Sequence, residues 1–482
     1  MTKGQILFVQ PPASFSNPSP CLDDKQFGLG ILANAAWLQG HGFAVDGIHI
    51  PLMLHQGFSA EDAISLILAK EPILVAIGLN WVHFSHGALE TARRLRERSQ
   101  DLPIVIGGQH AGLFADEIAA LAADWVNGVI RGEAEVPLLR LAEAISTGGG
   151  FPTDVPGLHT GRAPAPPPKV VDELDSLPVY SYRSLKPRPL RPDVAAISTA
   201  RGACPFRCAW CIEPVVGRMQ GRPKLRFHSP DRIVDQIEAL TAEGITRFTI
   251  QDNFFVGGDR KLVALADALI RRAIRPGHLN IFAHPDSFTA HGMSALAACC
   301  ELGSIDYGIE TGSARVAAIN NRRLNPDEVV ERVASAASLG LEPYSWWMAG
   351  LPGEDEAALS ETEELIGRTM DAGGIPRWVS PLILFPQTDI HLNPERYGVR
   401  RRFEGFADYA IFSEISLAEA VMFSEAVAHE TAEATRDEIT AAALRLRRFI
   451  VSNLHRLHRA YEGAARPPDL AGVEARIRQS FM

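Results

Sequence analysis

Three cysteines stand within eight residues, in the run Cys204-Pro205-Phe206-Arg207-Cys208-Ala209-Trp210-Cys211, a C-x3-C-x2-C spacing. Thiolates this close in sequence converge on one metal centre. Two kinds of centre suit them. A closed tetrahedral zinc site needs a fourth ligand, for which His228, 17 residues beyond Cys211, is conceivable. A four-iron cluster held by only three cysteines leaves one iron open to an exogenous ligand. The other cysteines read differently. Cys299 and Cys300 form a vicinal pair at the end of an expected helix, where free cysteines are usually buried packing residues. Cys21 falls on a loop.

The cysteine loop must be carried by something rigid. A strand over 194–198 leads directly into it, and it opens a series of strands and helices. Ser229-Pro230-Asp231 is a helix start, with Ser as N-cap, Pro at the first helical position and Asp favoured by the dipole. Asn325-Pro326-Asp327-Glu328 repeats that logic. Strands are expected over 246–251, 279–283, 304–309, 343–348 and 379–385. Six parallel βα units make a full or partial barrel, whose active site lies at the carboxyl ends of the strands. The cysteine loop sits at such an end.

The first 150 residues alternate short apolar runs with helical patterns. Strands are expected over 6–9, 44–50, 73–79, 104–106 and 125–130, with helices over 29–39 and 89–98. This alternation implies a parallel sheet, which binds ligands beyond the carboxyl ends of its strands. Ala163-Pro164-Ala165-Pro166-Pro167-Pro168 is a stiff extended linker, followed by Pro178, Pro187, Pro189 and Pro192. Near the other terminus, Ile439, Ala443, Leu446, Ile450, Leu454, Leu457 and Tyr461 recur at helical spacing. The division expected is a Rossmann-like domain over 1–150, a Pro-rich linker over 151–192, a partial (β/α)6 barrel over 193–400 and a helical region over 401–482.

Composition narrows the function. The chain has 482 residues, 46% hydrophobic and 22% charged, which suits a soluble α/β protein of several domains. Lys+Arg 47 against Asp+Glu 57 leaves a net charge of −10. An acidic balance argues against a nucleic-acid coat or an anionic membrane surface. No segment offers the roughly 20 apolar residues of a membrane span. The start, Met1-Thr2-Lys3-Gly4 running into 5–9, lacks a signal-peptide pattern, so a cytoplasmic location is expected. Six cysteines in so long a chain are not a disulfide framework.

The cysteine motif resembles the signature of the radical S-adenosylmethionine (SAM) enzymes. The resemblance implies a [4Fe-4S] cluster on Cys204, Cys208 and Cys211, with SAM chelating the open iron. Trp210 fills the aromatic position usual before the third cysteine. Other residues fall in the family's order. Asp252, in Thr249-Ile250-Gln251-Asp252-Asn253, stands where polar groups meet the methionine moiety, although the usual glycines are absent. Gly308-Ile309-Glu310-Thr311-Gly312-Ser313 resembles the fourth strand end, where the Glu meets ribose or carboxylate. Gly350, in Met348-Ala349-Gly350-Leu351-Pro352-Gly353-Glu354, resembles the turn lining the adenine.

The first domain resembles the N-terminal half of cobalamin-binding radical SAM enzymes. Gly28, Leu79-Asn80, Gly107-Gly108 and Gly132-Glu133 carry the likeness. Glycines at successive strand ends let backbone approach a large flat corrin. The familiar Asp-x-His-x-x-Gly pattern of a lower axial ligand is missing. Asp46-Gly47-Ile48-His49 has the wrong spacing, so His49 reads as an ordinary strand-end histidine.

The resemblance implies a cobalamin-dependent radical SAM enzyme methylating a small molecule of secondary-metabolite type. It implies an external electron donor such as flavodoxin or ferredoxin, and no nucleic-acid or membrane partner. A radical rearrangement, cyclisation or other C–C or C–S chemistry is the alternative. A non-catalytic cobalamin- and cluster-binding sensor is a reading of another class. No catalytic residue for the substrate step is assigned.

Overall fold

The computed structural model describes residues 3–16, 27–162, 164–182, 193–219, 221, 224–252, 255, 257–415, 422–464 and 467–481. Cys21, Pro187, Pro189, Pro192 and Asn253 lie outside them. The first sheet holds β1 (Gln5–Gln10), β2 (Ala44–His49), β3 (Leu74–Gly78), β4 (Ile104–Gly107), β5 (Gly128–Ile130) and β6 (Leu158–His159). Their order is β2-β1-β3-β4-β5-β6, parallel except for the antiparallel β6. Ile6, Leu7 and Val9 are fully buried and Phe8 nearly so. Such unbroken apolar runs are the mark of a strand covered on both faces. The chain order switches direction between β1 and β3, which is where an open α/β sheet leaves a crevice.

The second sheet holds β7 (Val194–Ile197), β10 (Arg247–Ile250), β11 (His278–Ala283), β12 (Leu302–Glu310), β13 (Glu342–Ala349) and β14 (Ile375–Pro381). All are parallel and lie side by side in sequence order, so the barrel is open and six-stranded. Between β7 and β10, the short pair β8 (Ala200–Arg201) and β9 (Arg226–Phe227) forms an antiparallel clip beside the cysteine loop. Ser229 and Asn325 cap their helices as expected. Ser229 Oγ accepts from Arg232 N at 3.2 Å and Asn325 Oδ1 from Asp327 N at 3.1 Å. In the last long helix, Arg436–Ser452, the spaced residues Ile439, Ala443, Leu446 and Ile450 are all fully buried.

Three expectations need correction. The sixth strand runs over Ile375–Pro381, four residues earlier than its apolar run suggests. It includes Pro376, and β14 is an edge strand, where proline is tolerated. The segment after residue 150 is not all linker, because β6 joins the first sheet. The region after 400 is not uniformly helical. It begins with β15 (Arg400–Arg401) paired to β16 (His429–Glu430), with short helical turns between them. There Phe406, Tyr409 and Phe412 are buried in one core with Phe114, Ala209 and Trp210. Another core joins Ile6 and Phe8 to Ile197 and Phe248. The two halves of the chain therefore share apolar packing, and one of the shared cores includes Ala209 and Trp210 of the cysteine loop.

Candidate active site

The cysteine loop is stitched in place by backbone. Ala209 N donates to Asn320 O at 3.0 Å, and Ile390 N donates to Ala209 O at 3.1 Å. The three thiols are partly buried and close enough to feel one another's charge. Burial pushes Cys204 up to about 11 and Cys211 higher still. Thiolates there need a cationic partner. Among the described residues no three His, Cys, Asp or Glu side chains converge on one metal ion. His228 is turned away to Asp175, with Nδ1 3.2 Å from Oδ1, and supplies no fourth ligand. Among the described residues nothing joins the three thiols as a fourth ligand; a closed zinc site needs four, and a three-cysteine set is what a cluster with one open iron uses.

Arg322 organises the wall beside the loop. Its Nη1 lies 3.7 Å from Cys208 Sγ, and its guanidinium sits 5.9 Å from the centre of the Trp210 ring. Its Nη2 donates to the carbonyl of Gly308. Glu310 closes the group. It has a φ of 76°, in the left-handed region, beside a register shift between Gly308 and Glu310. A non-glycine residue held there costs energy and marks functional sites. A Cβ on Gly308 would lie 2.6 Å from Glu310 Oε1, the free end of a flexible side chain, so a larger residue there would make that carboxylate shift. Burial lifts Glu310 to about 7, against the pull of Arg322. Among the described residues its carboxylate makes no hydrogen bond. It is an acceptor awaiting donors.

Asp252 and Gly350 are both hydrogen-bonded within the protein. Asp252 Oδ1 accepts from Ser198 Oγ and Thr199 N, both at 2.9 Å, and Oδ2 accepts from Thr199 Oγ1. Both oxygens brace the turn that enters the cysteine loop. Gly350, with φ 83°, donates its N–H to Glu354 Oε2 at 2.6 Å, and its carbonyl is 2.7 Å from His429 Nε2. A Cβ there would meet Ile439 at 2.6 Å. It seats the helix Arg436–Ser452 against β13, with its N–H and carbonyl both hydrogen-bonded. On the same strands Phe282, Trp346 and Trp378 form a row of rings 6.0 and 6.2 Å apart. Trp346 Nε1 donates to Asp306 at 2.7 Å. Cys299 and Cys300 are buried and donate to Leu296 O, as packing residues do.

The second part of the site is a cavity of about 330 Å³ at the carboxyl ends of β1, β3, β4 and β5. Asn80, Gly107, Gly108, Gly132 and Glu133 line it, as do Ser198, Arg201, Val216 and Met219 from the barrel half. Gly108 has φ 122°, and a Cβ on it would fall 2.6 Å from Asn80 Oδ1. Gly28 and Leu79 do not reach the cavity. Gly28 makes room for Asn80, whose Nδ2 a Cβ would approach to 2.9 Å, and Leu79 is fully buried. Glu133 is engaged, accepting from Arg226 and, at 3.5 Å, from Arg201. His49 Nδ1 accepts from Leu52 N at 3.2 Å and caps a helix away from the cavity lining. Sequence reasoning missed Arg322, Arg201 and Asn34, and gave Glu135 no role of its own. Only Glu135 carried a local signal, the second acid of Gly132-Glu133-Ala134-Glu135.

Residues 201–366 match the family model of the radical SAM superfamily. The barrel half is therefore a radical SAM domain. The whole chain shares its fold with the radical SAM methyltransferase TsrM from Kitasatospora setae, whose structure holds cobalamin and a [4Fe-4S] cluster. The likeness has a TM-score of 0.70 at 16% identity and covers 100% of this chain and 99% of that one. A second TsrM structure, with tryptophan substrate and a SAM analogue, matches at a TM-score of 0.68 and 19% identity, over 83% and 79% of the two chains. An uncharacterized methyltransferase of Pyrococcus horikoshii, PH0819, is 23% identical over 370 residues, covering 74% of this chain and 76% of the relative. Hopanoid C-3 methylase of Methylococcus capsulatus is 26% identical over 269 residues, covering 54% of this chain and 49% of that relative. The radical SAM match thus falls on the barrel, and the six-stranded first sheet lies ahead of it in the chain. Among the described residues no helix is long and apolar enough to cross a membrane.

Proposed function

We propose that the chain is a cobalamin-dependent radical SAM methyltransferase of a small molecule. The observation that carries this reading is the shared cavity. One void is bounded by the glycine-rich strand ends of the first sheet and by Ser198 and Arg201, which flank the entry to the cysteine loop. When bound, the cluster and SAM supply a 5′-deoxyadenosyl radical and cobalamin carries the methyl group.

The residues divide the work. Cys204, Cys208 and Cys211 would hold the cluster. Asp252 holds the loop entrance through Ser198 and Thr199. Glu310 offers a carboxylate to SAM donors, and Arg322 offers a cation between it and Cys208. Trp210 packs behind the loop and excludes water. Gly107, Gly108 and Gly132 present bare backbone to a broad ligand, with Asn80 beside them. Phe282, Trp346 and Trp378, their rings tilted to one another, would give the substrate an aromatic surface. An electron donor such as flavodoxin or ferredoxin would reduce the cluster.

The test is anaerobic reconstitution with iron, sulfide, hydroxocobalamin and SAM, followed by mass analysis with candidate substrates. A product heavier by one methyl group, with one deoxyadenosine and one S-adenosylhomocysteine formed for each, supports the reading. A rearranged or cyclised product with no S-adenosylhomocysteine overturns it.

A further inference from the structure

The cavity holds two acceptor atoms with nothing to accept. Asn34, on the helix Leu29–Gly40, donates through Nδ2 to Gly30 O at 2.7 Å, which leaves Oδ1 buried and unpartnered. Glu135 accepts from Arg201 Nη1 through Oε1 at 2.6 Å, which leaves Oε2 buried and unpartnered. Asn34 is 7% exposed and Glu135 is 2% exposed, and both line the same cavity. Around them the wall is apolar, including Phe8, Ile31, Ile130 and Leu138. Buried polar atoms in folded proteins nearly always find a partner. Two orphans of the same polarity on one void describe the complement of a ligand.

We infer that Asn34 and Glu135 are the acceptors that select the bound corrinoid, each taking an N–H or O–H donor from it. The inference rests on the reading above and adds to it the polarity of the contact. Both atoms only accept, so the ligand presents donors there. The carboxylate of Glu135 is already balanced by Arg201, so those donors are neutral. Amides at the corrin rim and hydroxyls of its nucleotide tail share this chemistry.

The full chain, with its cluster reconstituted, is titrated with hydroxocobalamin and separately with cobinamide, which keeps the amides and lacks the nucleotide. Asn34→Leu removes the acceptor at similar volume. Asn34→Asp keeps it. In Glu135→Gln the side-chain oxygen stays on Arg201 and the amide nitrogen turns to the cavity, so an acceptor becomes a donor. Asn34→Leu and Glu135→Gln should each raise the Kd for hydroxocobalamin about tenfold, the loss of one hydrogen bond. Asn34→Asp should bind within about threefold of the parent on the same scale. Iron content and SAM affinity should not change in any of them. Equal weakening toward cobinamide assigns the donors to corrin amides, and weakening toward hydroxocobalamin alone assigns them to nucleotide hydroxyls. If both variants bind both corrinoids like the parent, the orphan atoms are served by water and the inference fails. If the parent itself binds neither, the methyltransferase reading fails with it. Should Asn34→Leu not fold, Glu135→Gln against Asn34→Asp decides the matter.

Discussion

Arg201, on the clip beside the cysteine loop, donates to Glu135 of the first domain at 2.6 Å. With Glu133 and Arg226 they form a recessed group of two acids and two bases. Their side chains are 3% (Glu135), 6% (Glu133), 11% (Arg226) and 19% (Arg201) exposed. The group joins the cavity lining to the strand pair from which the cysteine loop springs. A displacement of one part is therefore felt by the other.

The first prediction concerns that group. Removing one member of a buried ion pair leaves its partner charged and unpaired, at a cost of about 3–5 kcal/mol. Arg201→Met strands Glu135 and weakens the hold on Glu133. We expect a loss of stability at the low end of that range, read as a lowered denaturant midpoint. A midpoint equal to that of the parent would show the group to be solvated and mechanically idle.

The second separates the two carboxylates once given the same task. Glu310→Ala should weaken SAM binding by one to two decades, the value of a charge-assisted hydrogen bond of about 1.5–3 kcal/mol, and leave iron content intact. Gly308→Ala should weaken SAM binding less than that, because its Cβ would push aside the flexible end of Glu310, whose Oε1 is 2.6 Å away, without removing the carboxylate. Asp252→Ala should instead lose iron, since three hydrogen bonds into 198–199 go with it. Parallel measurement of SAM affinity and iron per chain checks all three. Normal iron with weak SAM in Asp252→Ala would return that residue to the ligand.

The third follows from a buried acid in the turn after β13. Burial raises Glu354 from 4.5 to about 7, despite the N–H of Gly350. A carboxyl group whose folded value is raised binds more protons when folded than when unfolded. Its contribution to stability is complete below about pH 4.5 and is lost as pH climbs through about 7. Glu354→Gln keeps the acceptor for Gly350 and cannot ionise. Relative to that variant, the parent should lose stability between pH 4.5 and pH 7. Parallel pH profiles of the two would contradict this.

Much of the site was legible because it is local. The C-x3-C-x2-C loop, the caps at Ser229 and Asn325 and the glycines after β4 and β5 are short-range patterns with fixed geometric meaning. Other parts are tertiary and leave no such mark. Arg322 reaches Cys208 from 114 residues away in sequence. Asp252 after a strand looks the same whether it faces a ligand or a neighbouring loop. Gly350 has the turn expected of it, but its polar groups are claimed by Glu354 and His429, which no pattern near Gly350 announces. The sixth strand was displaced because edge position, not composition, decides whether Pro376 is tolerated.

The central claim is that one chain brings the radical SAM site and a methyl-carrying corrinoid to a common cavity. It is tested without knowing the substrate. The reconstituted chain is given hydroxocobalamin, a reductant and SAM labelled in its methyl group, and the corrinoid is recovered in the dark for mass analysis. The account predicts labelled methylcobalamin and S-adenosylhomocysteine in equal amounts. Deoxyadenosine formed beside an unlabelled corrinoid would contradict it.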